Sequence, residues 1–164
     1  MLMDIKFEEL DESAYPLVEK WLRQPHVKRW WDDGDVTPEK VRTDYGPEPG
    51  IARYVLSIRP YRTTALRAAG FFQHYEMPDG AIGIDLFIGE PDLVNKGLGT
   101  EAVKSFSAMI FRRFRPASIF VDPHPENKAA VRCYEKAGFT IEGEGVSAEG
   151  EPALLMRLFP EDGR

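Results

Sequence analysis

The sequence predicts a mixed α/β fold in a single domain, residues 1–164, and three observations carry that expectation. "AIGIDLFI", Ala81–Ile88, is an almost unbroken apolar run of strand length. After Gly97 the apolar period changes: Ala102, Val103, Phe106, Met109, Ile110 and Phe114 recur at three- and four-residue spacing, one face of a helix. The whole chain alternates between such segments without an internal repeat or a low-complexity tract. Its 164 residues suit one core of respectable size.

Taken in order, residues 5–10 alternate like a first strand, and Ser13 is placed to cap a short helix over 15–22. "RQPHVKRWWDDGD" reads as a second short helix that ends in an acidic, glycine-containing turn. "TPEKVRTDYG" has a cap at Thr37, proline at the first helical position and glycine at the end, which makes a third helix. Strands follow over 52–59 and 68–75, joined by the polar, basic "RPYRTTALR". "EMPDGA" is a hairpin-type turn into the 81–88 strand. The long helix runs from Gly99 to Phe114 and stops at Pro116; a short strand, 118–121, ends at Asp122. A helix over 127–137 is closed by Gly138, and strands over 139–146 and 152–159 finish the chain around "SAEGE". A sheet edge after Phe159 is where a homodimer could form.

Composition narrows the function classes. Hydrophobic residues make up 43% and charged residues 29%, an ordinary globular balance, and no apolar run approaches the ~18 residues that span a bilayer. The opening "MLMDIKFEEL" reads as neither a signal nor a transit peptide, so a cytoplasmic location is expected. A net charge of −6 argues against a nucleic-acid partner and suits a cationic small molecule. Cys133 is the sole cysteine, which excludes an internal disulfide, and His124 shares no ligand spacing with another His or Cys, so no metal is expected.

"VNKGLGT", Val94–Thr100, is the sharpest local signal. It fails as a Walker loop, because no Lys-Ser/Thr pair follows the second glycine. Gly97 to Ala102 matches G-x-G-x-x-A, and Asp122 sits where a ribose-binding acid belongs. Against a dinucleotide site, "EPDLVNK" separates the glycines from the strand, and too little chain follows for a doubly wound sheet. Two readings stand level on spacing alone: a pyrophosphate cradle at a helix N-terminus, or a glycine-rich helix entry without a ligand.

The second half of the chain adds a longer pattern. Asn127, Ala130, Tyr134, Gly138 and Phe139 spell N-x-x-A-x-x-x-Y-x-x-x-G-F over thirteen residues. With the glycine loop some thirty residues ahead, this resembles the GCN5-related N-acetyltransferase superfamily. In that family a Q/R-x-x-G-x-G/A loop binds the coenzyme A pyrophosphate; here Val94 stands in the Gln/Arg position. Trp30-Trp31, Gly83-Ile84-Asp85, Lys96–Thr100 and "DPHPENKAAVRCYEKAGF" are most similar to aminoglycoside 6'-N-acetyltransferases. Residues 59–77 match no pattern of the group. The resemblance implies a mixed, mostly antiparallel central sheet flanked by helices, acetyl-coenzyme A as cofactor, and direct transfer of acetyl to a primary amine, an aminoglycoside 6'-amine first. Another small amine, such as a siderophore lysine or hydroxylamine, is the alternative; a non-catalytic acyl-coenzyme A-binding regulatory module is the alternative of a different class.

Acetyl transfer to an amine needs a proton acceptor, stabilisation of charge on the thioester oxygen, and a proton for the departing sulfur. Alternation sets Ile82, Ile84, Leu86 and Ile88 on one face of their strand and Asp85 with Phe87 on the other. Asp85 is therefore the candidate base and substrate anchor; a solvated carboxylate on a wet face is the plainer reading. What the resemblance implies for the rest is as follows. Tyr134 would be the acid, although a tyrosine on such a helix also serves as a core residue. Main-chain groups of Leu86, Phe87 and Ile88 would hold the carbonyl and pantetheine. Asn95, Lys96, Gly97, Leu98, Gly99 and Thr100 would bind the pyrophosphate, and Asn127 the pantetheine or phosphate region. Trp30 and Trp31, ahead of Asp32, Asp33 and Asp35, would stack on a cationic sugar or simply pack at a helix end. Asp122 would anchor a second ammonium, and Cys133 reads as packed and inert.

Overall fold

The computed structural model describes residues 3–31 and 34–161. Seven strands form one sheet in the order β1-β2-β3-β4-β5-β7-β6. These are β1 (Met3–Glu9), β2 (Ile51–Pro60), β3 (Arg67–Glu76), β4 (Ala81–Ile88), β5 (Ser118–Val121), β6 (Thr140–Val146) and β7 (Pro152–Leu158). The helices are α1 (Tyr15–Leu22), α2 (Pro25–Lys28), α3 (Pro38–Tyr45), α4 (Leu98–Phe114) and α5 (Lys128–Lys136). The sheet is mixed: β4 and β5 run parallel, Ala81 opposite Ser118, while β1–β2, β5–β7 and β6–β7 are antiparallel. No described helix is long and apolar enough to cross a membrane.

The described residues group into two compact units. The first runs through His74 and takes in Leu86–Lys96. Its core is Val18, Trp21, Leu22, Val27, Val41, Tyr45, Phe71 and Phe87, all buried. Aromatic edges interlock there: Trp21 meets Phe87 at 6.2 Å between ring centroids, and Tyr45 meets Phe71 at 5.2 Å. Phe87 therefore has a packed environment, while Asp85, two residues earlier on β4, is half-buried. β4 ends in an irregular pairing, with Gly89 N–H and Glu90 N–H both donating to the Ala69 carbonyl, at 2.8 and 3.2 Å. Thr37 caps α3 as its sequence requires, accepting from Lys40 N–H at 3.1 Å. Ser13 does not cap α1. Asp11 does the capping instead, accepting from Ser13 N–H at 2.9 Å at the head of a 3₁₀ turn over residues 12–14 that leads into the helix.

The second unit comprises Tyr75–Asp85 and continues from Gly97. On α4, Leu98, Ala102, Val103, Phe106 and Ile110 are buried, but the expected stripe stops there: Met109 is half-buried and Phe114, in the last turn, is exposed with the Arg113 guanidinium over its ring. Ile82, Ile84, Ile119, Val121 and Met156 supply the buried strand positions of this unit. The terminal pair corrects one expectation. β7 lies between β5 and β6, so the sheet ends on β6 and not on the strand before Phe159. β7 pairs with β5 through Leu158, Arg157 and Met156, which leaves the earlier strand outermost.

Candidate active site

The thirteen-residue pattern of the second unit is the specification of one doubly capped helix. Asn127 accepts from Ala130 N–H at 3.2 Å, the N-cap bond that explains the N-x-x-A spacing. At the other end Gly138 takes φ +103°, its N–H donates to the Glu135 carbonyl, and Phe139 N–H donates to the Tyr134 carbonyl, both at 3.0 Å. That pair of bonds is a Schellman cap, whose usual apolar contact joins the residue after the glycine to the residue five before it. Here those residues are Phe139 and Tyr134, with ring centroids 5.5 Å apart. Tyr134 is thus fixed through backbone and ring together. Burial, then the neighbouring Cys133, Asp85, Asp122 and Tyr75, pushes its phenol well above the ordinary value, so the hydroxyl keeps its proton.

Around Tyr134 the second unit collects the remaining polar groups. Asp85 from β4 and Asp122 after β5 both act electrostatically on Tyr134. Burial, then Glu149 in the β6–β7 turn, raises the Asp122 carboxyl above its usual range. The loop after Asp122 is held in shape by its own chain. Leu154 N–H donates to the Pro123 carbonyl at 2.8 Å, and Glu126 N–H donates to His124 Nδ1 at 3.1 Å. Tyr75 from β3 donates a side-chain hydrogen bond to Asp85. Its ring lies across Gly83, where an added Cβ would stand 2.5 Å from Cζ and 2.8 Å from Oη. Gly83 is therefore a glycine for packing reasons, since any side chain would occupy the ring's place.

The glycine loop opens α4 as an anion cradle would. Asn95 has φ +60° and Gly97, the N-cap, φ +80° with no side-chain cap. The first turn's N–H groups, which a helix cannot satisfy itself, include those of Leu98, Gly99 and Thr100. A Cβ at Gly99 would meet only Cys133 Sγ, at 3.4 Å, so the approach to the turn is not filled by side chains. This seventeen-residue helix with a bare, glycine-lined N-terminus fits a pyrophosphate. Cys133 hydrogen-bonds Thr100, and burial, the larger influence, pushes its thiol up, which suits a packed and unreactive sulfur.

The first unit holds the other candidates. Trp31 is half-buried, its Nε1 donating to the Tyr45 hydroxyl at 3.0 Å and its ring meeting Phe87 at 5.2 Å and Phe71 at 5.9 Å. Trp30 is exposed, with the Arg29 guanidinium 4.9 Å over its ring. The pair is therefore divided between a packing tryptophan and a surface one. Asp32 and Asp33 lie outside the described residues, and Asp35 is exposed. Leu86 and Ile88 are half-buried beside the packed Phe87, and the Ile88 carbonyl lies 2.9 Å from His26 Nε2. Asn95 and Lys96 are exposed, at the end of the loop that Glu90 ties down. Glu90 accepts from Trp21 Nε1 at 2.9 Å and pairs with Lys20 at 3.2 Å and Arg67 at 3.5 Å.

Two residues of the second unit escaped sequence reasoning, Tyr75 and Glu149. In the structure Met77 N–H donates to the Ala81 carbonyl at 2.9 Å. Counting back from that bond sets Tyr75 opposite Gly83, a cross-strand pair of ring and bare backbone.

Comparison with known proteins gives these groups a context. A family model described as an acetyltransferase (GNAT) domain matches residues 61–146. The chain is 28% identical over 159 residues to an aminoglycoside N(6')-acetyltransferase type 1 of Klebsiella pneumoniae, covering 90% of this chain and 79% of that protein. It is 37% identical over 93 residues to a kanamycin resistance protein of Rhizobium radiobacter, covering 57% and 85%. Among solved structures, aminoglycoside acetyltransferase AAC(6')-Ib in complex with coenzyme A and kanamycin aligns with a TM-score of 0.84 at 26% identity over 96% of each chain. An aminoglycoside N(6')-acetyltransferase from Legionella pneumophila aligns with a TM-score of 0.76 at 26% identity, covering 99% of this chain and 96% of that one.

Proposed function

The chain belongs to the GNAT acetyltransferases, acetyl-coenzyme A-dependent N-acetyltransferases, and from that premise we propose that it acetylates the 6'-amine of an aminoglycoside-type aminosugar, residues 1–164 working as one catalytic domain. One observation carries the chemical reading: a strand carboxylate, a proton-retaining tyrosine and the bare N-terminus of α4 all belong to the second unit. The relatives named above, each with aminoglycoside or kanamycin in its name, support the acceptor class.

When bound, acetyl-coenzyme A supplies an acetyl group already activated as a thioester. In this reading Leu98, Gly99 and Thr100 hold its pyrophosphate by N–H donors, with Asn95, Lys96 and Gly97 shaping the loop. Asn127 and the main chain of Leu86, Phe87 and Ile88 serve the pantetheine arm and the carbonyl. An alkyl ammonium is unreactive until it loses a proton, and Asp85 takes that proton on its carboxylate, directly or through water. Tyr134 keeps a proton on Oη at neutral pH and offers it to the leaving sulfur. Asp122 holds a second ammonium of the acceptor, assisted by Glu149, and an acceptor charge there offsets the repulsion between the two acids. Trp30 and Trp31 border the sugar.

The test is thiol release from acetyl-coenzyme A with kanamycin-like aminosugars, polyamines, hydroxylamine and free lysine, followed by NMR location of the acetyl group. Release driven by aminosugars, with acetyl on the 6'-amine, is the expected result. Release with hydroxylamine or lysine alone would overturn the acceptor assignment, and release with none of these amines would overturn turnover itself.

A further inference from the structure

Tyr75 is not part of any motif that led to the site, yet it hydrogen-bonds Asp85. Its ring occupies the space that Gly83 leaves empty, and Gly83 precedes Asp85 by two residues, on the same face of β4. The hydroxyl donates to the Asp85 carboxylate. We propose that Tyr75 is a positioning residue for acetyl transfer, fixing the Asp85 carboxylate in orientation and holding it in the ionised form that accepts the substrate proton. This rests on Asp85 being the base.

Three physical requirements meet at this pair. A hydrogen bond given to a carboxylate favours its charged form over the neutral acid. For that bond to last across the working range the donor must not itself ionise. Burial first, then the negative charges of Asp85, Asp122 and Glu149, hold the Tyr75 phenol well above its ordinary value, so it remains a donor. Finally, the bond must be directional, and the bare backbone of Gly83 lets the ring lie close against β4 with its hydroxyl toward Asp85. The ionisable groups that influence this pair from neighbouring elements are Tyr134 on α5, Asp122 after β5 and Glu149 in the β6–β7 turn. The hydroxyl of Tyr75 is a neutral donor to Asp85 within this acidic group.

The consequence for pH has a definite sign. Removing the donor raises the pH at which Asp85 takes up a proton, so the acid side of the kcat/KM profile moves to higher pH. One hydrogen bond to a charged group, where water still reaches the pair, supports a displacement of about one pH unit. Loss of orientation lowers kcat by about tenfold, while coenzyme A affinity stays unchanged.

The experiment compares the full chain with Tyr75→Phe and Asp85→Asn. The Asp85 carboxyl carbon is followed by ¹³C NMR through an acid titration, and kcat/KM for a kanamycin-like amine is measured across the same range. Tyr75→Phe keeps the ring on Gly83 and removes only the hydroxyl, and a thermal melt verifies the fold. An upward displacement in both readouts is expected. An Asp85 titration that stays in place in Tyr75→Phe overturns the inference. If Asp85→Asn is then inactive, the base reading survives alone; if Asp85→Asn turns over normally, both fall.

Discussion

Gly83→Ala displaces the Tyr75 ring from its seat on β4. The new methyl carbon would lie 2.5 Å from Tyr75 Cζ and 2.8 Å from Oη, whereas such contacts become ordinary at 3.4 Å. The ring must retreat by about an ångström, its Cε2 edge the furthest. Tyr75 is half-buried, so it can move toward water, and the stability loss stays near the low end for overpacking, about 1 kcal/mol. Activity suffers more, because the retreating hydroxyl leaves Asp85 or drags it along. A misplacement of about 1 Å in a catalytic arrangement costs on the order of 100-fold in rate. The assay is kcat/KM from thiol release with a kanamycin-like acceptor, alongside a thermal melt and a coenzyme A binding isotherm. The expected pattern is a large kinetic loss with a small stability change and unaltered cofactor affinity. Wild-type kcat/KM in a well-folded Gly83→Ala protein would refute the reasoning.

Three further outcomes follow from other parts of the molecule. Gly89→Ala places a methyl 2.5 Å from Trp21 Cδ1, and that indole is fully buried with Nε1 bonded to Glu90 at 2.9 Å. With no room to yield, the expected cost is about 2–3 kcal/mol, read as a fall in Tm of roughly 5 °C or more. Tyr134→Phe keeps the ring contact with Phe139 at 5.5 Å and removes the proton donor, so turnover falls by about 10- to 100-fold with the melt nearly unchanged; a collapse of stability instead would mark Tyr134 as a core residue. Glu149→Gln removes a charge that helps burial raise the Asp122 carboxyl. A carboxyl raised in the folded state disfavours folding once pH climbs from the unfolded value through the folded one. The substitution therefore raises Tm at neutral pH, loses that effect in acid, where the Asp122 carboxyl is protonated in both folded and unfolded states, and raises KM for a polycationic acceptor.

The parts of this protein that were legible in its sequence are those whose determinants are local. α5 could be read nearly to the residue because both ends are written in its own chain, Asn127 bonding Ala130 and Gly138 closing the cap. β4 matched its expected bounds, Ala81–Ile88, since an unbroken apolar run leaves little choice of limits. Ahead of α1 the sequence offered Ser13 as a cap, but the chain enters through a 3₁₀ turn over 12–14 that Asp11 caps, a backbone path no local pattern reports. Long-range arrangement was harder. The insertion of β7 between β5 and β6 depends on pairing across the β5–β7 register, which no local pattern reports. Tyr75 escaped for the same reason: its importance lies in what stands across from it, Gly83, and not in its neighbours. The two tryptophans are adjacent in sequence yet divide their environments, Trp31 donating to Tyr45 and Trp30 remaining exposed.

The central claim, that Asp85 is the proton acceptor for acetyl transfer to an aminosugar amine, is tested most directly by Asp85→Asn. The measurement is the rate of acetyl transfer to kanamycin near neutral pH, with coenzyme A affinity determined on the same preparation. A loss of about 100-fold or more in rate, with cofactor affinity intact, is the predicted result. Equal rates in the two proteins would contradict it.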